Sequence, residues 1–473
     1  MILINKNRFF VTGKMETNEQ ASYNPISDEY CGRSIFVTGS TGFIGKVFVE
    51  KILYRCPKID KIYILIRDTE RVSFEEKFKK MLDSPVFKRL REERPQDLEK
   101  LVPIVGDITL SNLGLKIEDE KLLTENVSMV FHLAATIKFN EPLKYAIDIN
   151  LEGTRRVLDL CLRMKKIKVF LYVSTAFTGA TRKELDEIVY PPPASQNDID
   201  DVMKQKNVTE EQTKKILNGS PNTYTLTKAL AENLVANFHE REDIPTVIVR
   251  PSIVISCKNE PMSGWIDNWF GATSLVVSVG KGLIRTLPAD GDNNIDLIPA
   301  DYVANLIIVA AAKSERSKSV EVYNSCTSAA NPITIKQLEQ ITTNDSTKNK
   351  LNDMPLPGLF YTKSRWIMSI FILILEILPA YIADCFLRLI GKKPMYMKLQ
   401  SRISEVRKAL EPFTSRTWMM RSHNTCALSE SLSPTDRRLF ACDPTTIDWQ
   451  EFLPTYFRGI RNYLMIISTN WPF

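Results

Sequence analysis

The sequence predicts an α/β fold, a doubly wound parallel sheet followed by a mainly helical C-terminal domain, on three observations. A short apolar run, Ser34 to Thr38, leads into a loop with Gly39, Gly42 and Gly45, and Phe43, Ile44, Val47, Phe48, Ile52 and Leu53 then share one helical face. Short apolar runs then alternate with helical stretches as far as about residue 345. Beyond that point the alternation stops and helices with aromatics take over. A chain of 473 residues, 44% hydrophobic and 25% charged, is long enough for two or three domains with a sizeable core.

Residues 1–29 are polar and irregular and read as a flexible leader; the opening apolar run is too short for a signal-peptide core. The strand, glycine loop and helix that follow form a dinucleotide grip of Rossmann type. The first glycine permits the tight turn and the second lets backbone N–H groups reach a pyrophosphate. The third lets helix and strand pack closely, with the phosphates at the positive helix end. The spacing, G-x-x-G-x-x-G, points to the reductase and epimerase branch of such folds. Lys61 to Arg67 is a second buried strand. It ends in an arginine where an NAD enzyme would place an acid, so Arg67 selects the 2′-phosphate of NADPH, with neighbouring Asp68 counting against it. The charged stretch Ser73 to Arg94 reads as a solvated surface helix. Val102 to Asp107 and Ser128 to Ala135 are strand ends at the cofactor edge: Asp107 is placed to accept from the adenine amino group, and Ala134 and Ala135 let the backbone approach the cofactor. His132 reads as a strand-end residue rather than a base.

Val169 to Thr175 is another buried strand, ending in two hydroxyls. The segment from Thr181 to Pro221, with Pro191-Pro-Pro193 and a charged run, reads as an insertion over the site. Tyr224 and Lys228 follow, four apart and on one helical face, so that an ammonium would favour phenolate and bring the tyrosine pKa toward neutrality. Tyr54 and Lys58 match the same spacing by chance, with Pro57 between them. Thr175, or secondarily Ser174, would hydrogen-bond a substrate carbonyl. The net charge of +6, from 62 Lys plus Arg against 56 Asp plus Glu, is too mild for nucleic-acid binding and suits an anionic small ligand or membrane face. Eight scattered cysteines without a C-x-x-C pair indicate reduced thiols, and three histidines without ligand spacing leave no zinc site.

The glycine loop, Ser174-Thr175 and Tyr224-x-x-x-Lys228 resemble the extended short-chain dehydrogenases and reductases. More narrowly, the chain resembles the animal fatty acyl-CoA reductases, on His132 to Lys144, Tyr172 to Phe177, Tyr190-Pro-Pro-Pro193, Arg250-Pro-Ser-Ile253, Gly264 to Asn268, Lys281 to Arg285, Asp296 to Asp301, Asp448-Trp449 and Arg458 to Leu464. The resemblance runs from about Ile26 to Leu464. It implies NADPH-dependent reduction of a long-chain acyl-CoA to a fatty alcohol through an enzyme-bound aldehyde. It assigns catalysis to Thr175, Tyr224 and Lys228, and the NADPH site to Gly39, Thr41, Gly42, Phe43, Ile44, Gly45, Arg67, Asp107, Ala134, Ala135 and Lys228. Trp269-Phe-Gly-Ala-Thr273 and Thr178-Gly179 depart from the family pattern where substrate would pass, which leaves chain-length preference open. A ketone or sterol reductase with the same triad and a catalytically silent NADPH-binding membrane protein are the alternatives.

The domains implied are a leader over 1–29, a reductase domain over 30–345 and a C-terminal domain over 346–473 with a membrane-associated segment at 366–390. That segment is the most apolar in the chain, yet Glu376, Asp384 and Arg388 interrupt it and Pro379 is expected to break it. Basic residues flank both ends, so a re-entrant hairpin with both ends cytosolic and a single span stay open, with a buried soluble helix as the third reading. The resemblance favours the endoplasmic reticulum membrane, with the catalytic domain facing the cytosol.

Overall fold

The computed structural model describes residues 25–349 and 359–465. Most of the expected leader lies outside them; its last residues form a turn, Ile26–Tyr30, whose two end residues are buried. Seven strands, β1 (Ser34–Thr38), β2 (Lys61–Ile66), β3 (Leu101–Val105), β4 (Val127–His132), β5 (Val169–Val173), β6 (Thr246–Pro251) and β7 (Glu321–Ser325), form one sheet in the order 3-2-1-4-5-6-7. Every pairing is parallel. The order reverses between β1 and β4, and in such sheets the crevice beyond the carboxyl ends at the reversal takes the ligand.

Because side chains alternate along a strand, each strand feeds two cores. Ile35, Val37, Phe131 and Val249 face one side, with helices α1 (Phe43–Arg55) and α3 (Ala300–Lys313) over them. Phe36, Val130, Phe170 and Ile248 face the other, against Leu226 and Leu230 of α2 (Thr223–Arg241). The C-terminal region is largely helical. Its Phe452, Leu453 and Tyr456 pack into the first of these cores.

Two expectations are corrected. The stretch after Ser73 is not one solvated helix. A helix over Phe74–Leu82, a tight turn at Pro85–Phe87 and a short helix over Lys88–Glu93 replace it. Phe87 and Leu90 are buried, and Arg89 forms a bidentate pair at 2.6 and 2.8 Å with buried Glu50. Nor does Pro379 end the apolar helix. α4 runs unbroken over Arg365–Leu389, with a π turn at Leu373–Ile377 that ends two residues before the proline. Such a turn shifts the hydrogen-bond register and absorbs the donor that proline lacks. Helix α5 (Tyr396–Thr414) returns toward the carboxyl ends of the sheet, where Phe413 meets Phe139 and Phe177.

Candidate active site

The glycine loop begins at the end of β1. Gly39 takes φ +76°, the left-handed region that favours glycine, and a Cβ there would lie 2.6 Å from the Ala134 nitrogen. At Gly45 a Cβ would lie 2.2 Å from the Gly39 carbonyl oxygen, so the third glycine packs the helix against the loop itself. Gly42 caps α1, and Thr41, Phe43 and Ile44 follow the turn at the helix start. The loop thus folds tightly against β4 and presents a helix N-terminus beyond the sheet, the arrangement that takes a pyrophosphate.

A chain of buried hydrogen bonds fixes Ala134 beside that loop. Its N–H donates to Thr38 Oγ1 at 3.2 Å, and Thr38 in turn meets His132 Nδ1 at 2.7 Å. The other ring nitrogen meets Thr154 Oγ1 at 3.1 Å, and Thr154 donates to the Asn150 carbonyl at 2.7 Å. With the Thr154 hydroxyl committed as donor, His132 carries its proton on Nε2 and accepts from Thr38 on Nδ1. Burial brings the His132 pKa down to about 3, so it is a neutral structural residue, as expected, and not a base. Ala135 continues the same segment, half-buried.

At the end of β2, Arg67 is half exposed and lies 3.8 Å from the Asp107 carboxylate. Asp68 does not compete with it. Its Oδ1 accepts from the Thr69 and Phe74 amides at 3.0 and 3.1 Å, at the start of the helix that Ser73 caps. Asp107 Oδ1 accepts from the amide and hydroxyl of Thr109, which leaves Oδ2 toward Arg67.

Thr175, after β5, and Tyr224, in the first turn of α2, are brought together. The Thr175 hydroxyl donates to the Pro251 carbonyl at 3.5 Å and accepts from the Phe177 amide at 3.4 Å, near enough to the phenol to lower its pKa, while the Ser174 hydroxyl finds no partner among the described residues. Asn222 caps α2 by accepting from the Thr225 amide at 2.9 Å, which sets where the tyrosine begins the helix. Lys228 lies one turn on, buried, and its ammonium donates to the Val173 carbonyl at 2.6 Å.

The electrostatics differ from the sequence expectation. Burial raises the Tyr224 pKa to about 12, and the Thr175 hydroxyl only partly offsets it. Lys228 brings no lowering there, because its own ammonium is desolvated, with a pKa down to about 7 that Glu232 props up. The phenol is therefore a protonated acid at neutral pH, not an incipient phenolate.

Sequence reasoning did not single out several supports of this site. Glu232, one turn beyond Lys228, forms a buried bidentate pair with Arg250 at 2.8 and 2.7 Å, and the same guanidinium holds the carbonyls of Asp186 and Ile188. That contact fastens the 181–221 insertion to α2. The insertion carries two capped helices, Gln196–Lys204 and Glu210–Leu217, and Lys144 bonds the carbonyls of Met203 and Gln205. An aromatic wall stands beside the phenol. Phe139 lies 6.2 Å from Tyr224 between ring centroids, Phe413 lies 5.2 Å from Phe139, and Phe177 meets Phe413 and Trp418 edge-on. Phe413 and Trp418 sit almost 200 residues downstream, and no local pattern marks them.

The sheet, the glycine cradle and the Thr-Tyr-Lys cluster define a nicotinamide-dependent oxidoreductase of the short-chain dehydrogenase/reductase type. Family models described as male sterility protein match residues 37–307 and 375–466. Fatty acyl-CoA reductase 1 of Homo sapiens is 35% identical over 445 residues, covering 93% of this chain and 86% of the relative. Fatty acyl-CoA reductase 2 of Bos taurus is 34% identical over 446 residues with the same coverages. The chain belongs to the family of the animal fatty acyl-CoA reductases. Among solved structures, the terminal R domain from the myxalamid PKS-NRPS pathway aligns with TM-score 0.60 at 20% identity, covering 92% of each chain. The reductase domain of a nonribosomal peptide synthetase from Mycobacterium tuberculosis gives 0.60 at 16%, covering 91% of each. These two share the fold.

Proposed function

We infer that the chain reduces long-chain fatty acyl-CoA to fatty alcohol through an enzyme-bound aldehyde, using NADPH. Family membership supports the reaction, and the observation that carries the site is the juxtaposition of the Thr175 hydroxyl with the buried Tyr224 phenol, one helical turn from buried Lys228. The residues at the sheet edge suit the cofactor: Gly39 and Gly45 make a cradle that a Cβ would fill, and Arg67 stands at the end of β2 with Asp68 committed elsewhere. NADPH bound there supplies the hydride, once for each reduction.

Thr175 and Tyr224 donate to the thioester oxygen as negative charge develops, and Tyr224 transfers its proton. A pKa near 12 keeps that proton available throughout the neutral range. The hemithioacetal hydroxyl returns its proton to Tyr224 as the carbon–sulfur bond breaks and CoA leaves, giving the aldehyde. A second hydride and the same tyrosine proton give the primary alcohol, and the phenolate left on Tyr224, of pKa near 12, takes a proton from water to restart the cycle. Lys228 is assigned to the nicotinamide ribose. The wall of Phe139, Phe177 and Phe413 is assigned to the acyl chain, as a dry surface for methylenes beside the phenol.

The division into a reductase unit over 30–345 and a C-terminal unit over 346–473 belongs to this proposal, as does attachment to the endoplasmic reticulum membrane with the catalytic unit in the cytosol. Eight free cysteines support a reducing compartment. Asn126-Val-Ser128 is an N-glycosylation sequon, so a glycan on Asn126 would contradict that orientation. Incubation with NADPH and a panel of acyl-CoAs and ketones, with product identification, tests the reaction. Fatty alcohol is expected, and turnover of ketones without any thioester reduction would overturn it in favour of a ketone reductase.

A further inference from the structure

We propose that α4 and the basic turn after it form a docking surface for an anionic phospholipid bilayer, with the helix lying in the plane of the interface instead of crossing it. This rests on the membrane association proposed above and assigns its geometry.

By length and composition α4 qualifies as a span, with mean hydropathy 2.2 over its most apolar window and only 17% of that window buried. Its two faces tell otherwise. Trp366, Ile370, Leu373, Ile374, Tyr381 and Phe386 are exposed, a far larger apolar patch than a soluble surface usually shows. Glu376, Ala380 and Asp384, spaced at i, i+4 and i+8, are buried on the opposite face. Glu376 Oε1 accepts from the Arg285 and Thr286 amides at 3.0 and 3.2 Å, and Oε2 takes the buried Arg407 guanidinium. Asp384 accepts from the amides of Met395, Tyr396 and Met397 at 2.8 to 2.9 Å and so caps α5. Just before α4, Phe360–Tyr361 pairs with Thr286–Leu287. The helix is therefore tied to the same body at its start, its middle and its end. A crossing would take Glu376 away from the Arg285 and Thr286 amides and leave a charged carboxylate in the apolar layer.

Charge identifies the occupant. From Lys363 to Arg402 the only acids are Glu376 and Asp384, both turned inward, against seven basic residues. Arg388, Lys392, Lys393 and Lys398 are exposed beside Met395, Tyr396 and Met397, themselves exposed apolar side chains. An apolar helical face rimmed by lysine and arginine is the pattern of an in-plane interfacial helix on anionic lipid. α5 then runs from this surface to Phe413 in the aromatic wall, a direct connection between the lipid face and the site.

The test floats the full chain, purified in detergent, with vesicles of phosphatidylcholine alone or with phosphatidylserine. Flotation is expected and is stronger with phosphatidylserine. The double variant Lys392→Glu, Lys393→Glu should lower binding to the anionic vesicles at least about tenfold. Leu373→Glu with Ile374→Glu should abolish binding to both, and unchanged NADPH binding verifies that each variant is folded. Nitroxide labels are then placed singly by Trp366→Cys, Ile374→Cys and Leu389→Cys in a background with Cys31, Cys385 and Cys426 replaced by serine. Equal, shallow depths support the in-plane helix. A deep label at 374 with the other two near opposite leaflets overturns the geometry while leaving membrane association standing. Failure of the unmodified chain to float overturns both. A dimer broken by the Leu373, Ile374 pair, without flotation, gives the face to a second copy instead.

Discussion

Lys228 is a buried ammonium held in place at the expense of stability, and replacing it should make the ligand-free protein sturdier at acid pH. Its pKa stands at about 7, against an ordinary 10.5, because burial removes it from water. Three to four pKa units correspond to roughly 4–5 kcal/mol that the folded state forfeits when the group is charged in both states. The unfolded chain binds the extra proton between about pH 7 and 10.5, so stability rises with pH across that window. The forfeit is full below 7 and gone above 10.5. Lys228→Met keeps the volume and removes the charge, but it also removes the bond to the Val173 carbonyl, a loss of about 1–3 kcal/mol. The variant should therefore unfold about 2–3 kcal/mol harder than the unmodified chain at pH 6 and lose that advantage by pH 10, while activity disappears. Urea unfolding of the two proteins in parallel, followed by tryptophan fluorescence, measures the difference and cancels other titrations. A variant that is less stable at pH 6, or a difference that does not change with pH, would refute the reasoning.

Other consequences follow from the same geometry. In the free enzyme, kcat/KM should fall as pH rises through about 7, where Lys228 loses its proton, and Glu232→Gln should move that midpoint to lower pH, since Glu232 raises the lysine pKa; a profile flat from pH 6 to 9 contradicts the role given to the ammonium. Gly45→Ala places a methyl 2.2 Å from the Gly39 oxygen and should cost on the order of a hundredfold in kcat/KM, mostly through cofactor binding measured by NADPH fluorescence. Arg67→Ala should weaken NADPH by roughly ten- to a hundredfold and leave NADH nearly unchanged, as expected for a lost charge-assisted contact to the 2′-phosphate. Glu376→Ala leaves Arg407 buried without its partner and frees two amides, so thermal unfolding should show a loss of about 3–5 kcal/mol.

The sheet was legible where local pattern and tertiary role agree. Strands β1, β2, β4 and β5 are continuous apolar runs because both faces are covered, and their ends, where the glycines, Ala134 and Thr175 lie, follow directly. Strand β7, Glu-Val-Tyr-Asn-Ser, escaped because an edge strand with polar positions carries no such run. The pairing of residue types at Tyr224 and Lys228 was readable from helical spacing, but their electrostatics were not. Burial acts on both groups at once: it raises the phenol to about 12 and brings the lysine down to about 7, so Lys228 has lost its charge well before the phenol titrates. Phe413, Trp418 and the Glu376 contact to the Arg285 amide were beyond reach because they join residues far apart in sequence: the partners are at Phe139, Phe177, Ala180 and Arg285, more than 90 residues away. Glu376 and Asp384 looked like interruptions of an apolar segment, and the fold uses them as its attachments.

The most direct test of the central claim is to incubate membranes carrying the chain with NADPH and long-chain acyl-CoAs and identify the lipids by mass spectrometry beside a Tyr224→Phe control. Fatty alcohol that vanishes in the control is the expected result. Alcohol formed equally by the control, or no reduced lipid from any acyl-CoA while NADPH still binds, would contradict it.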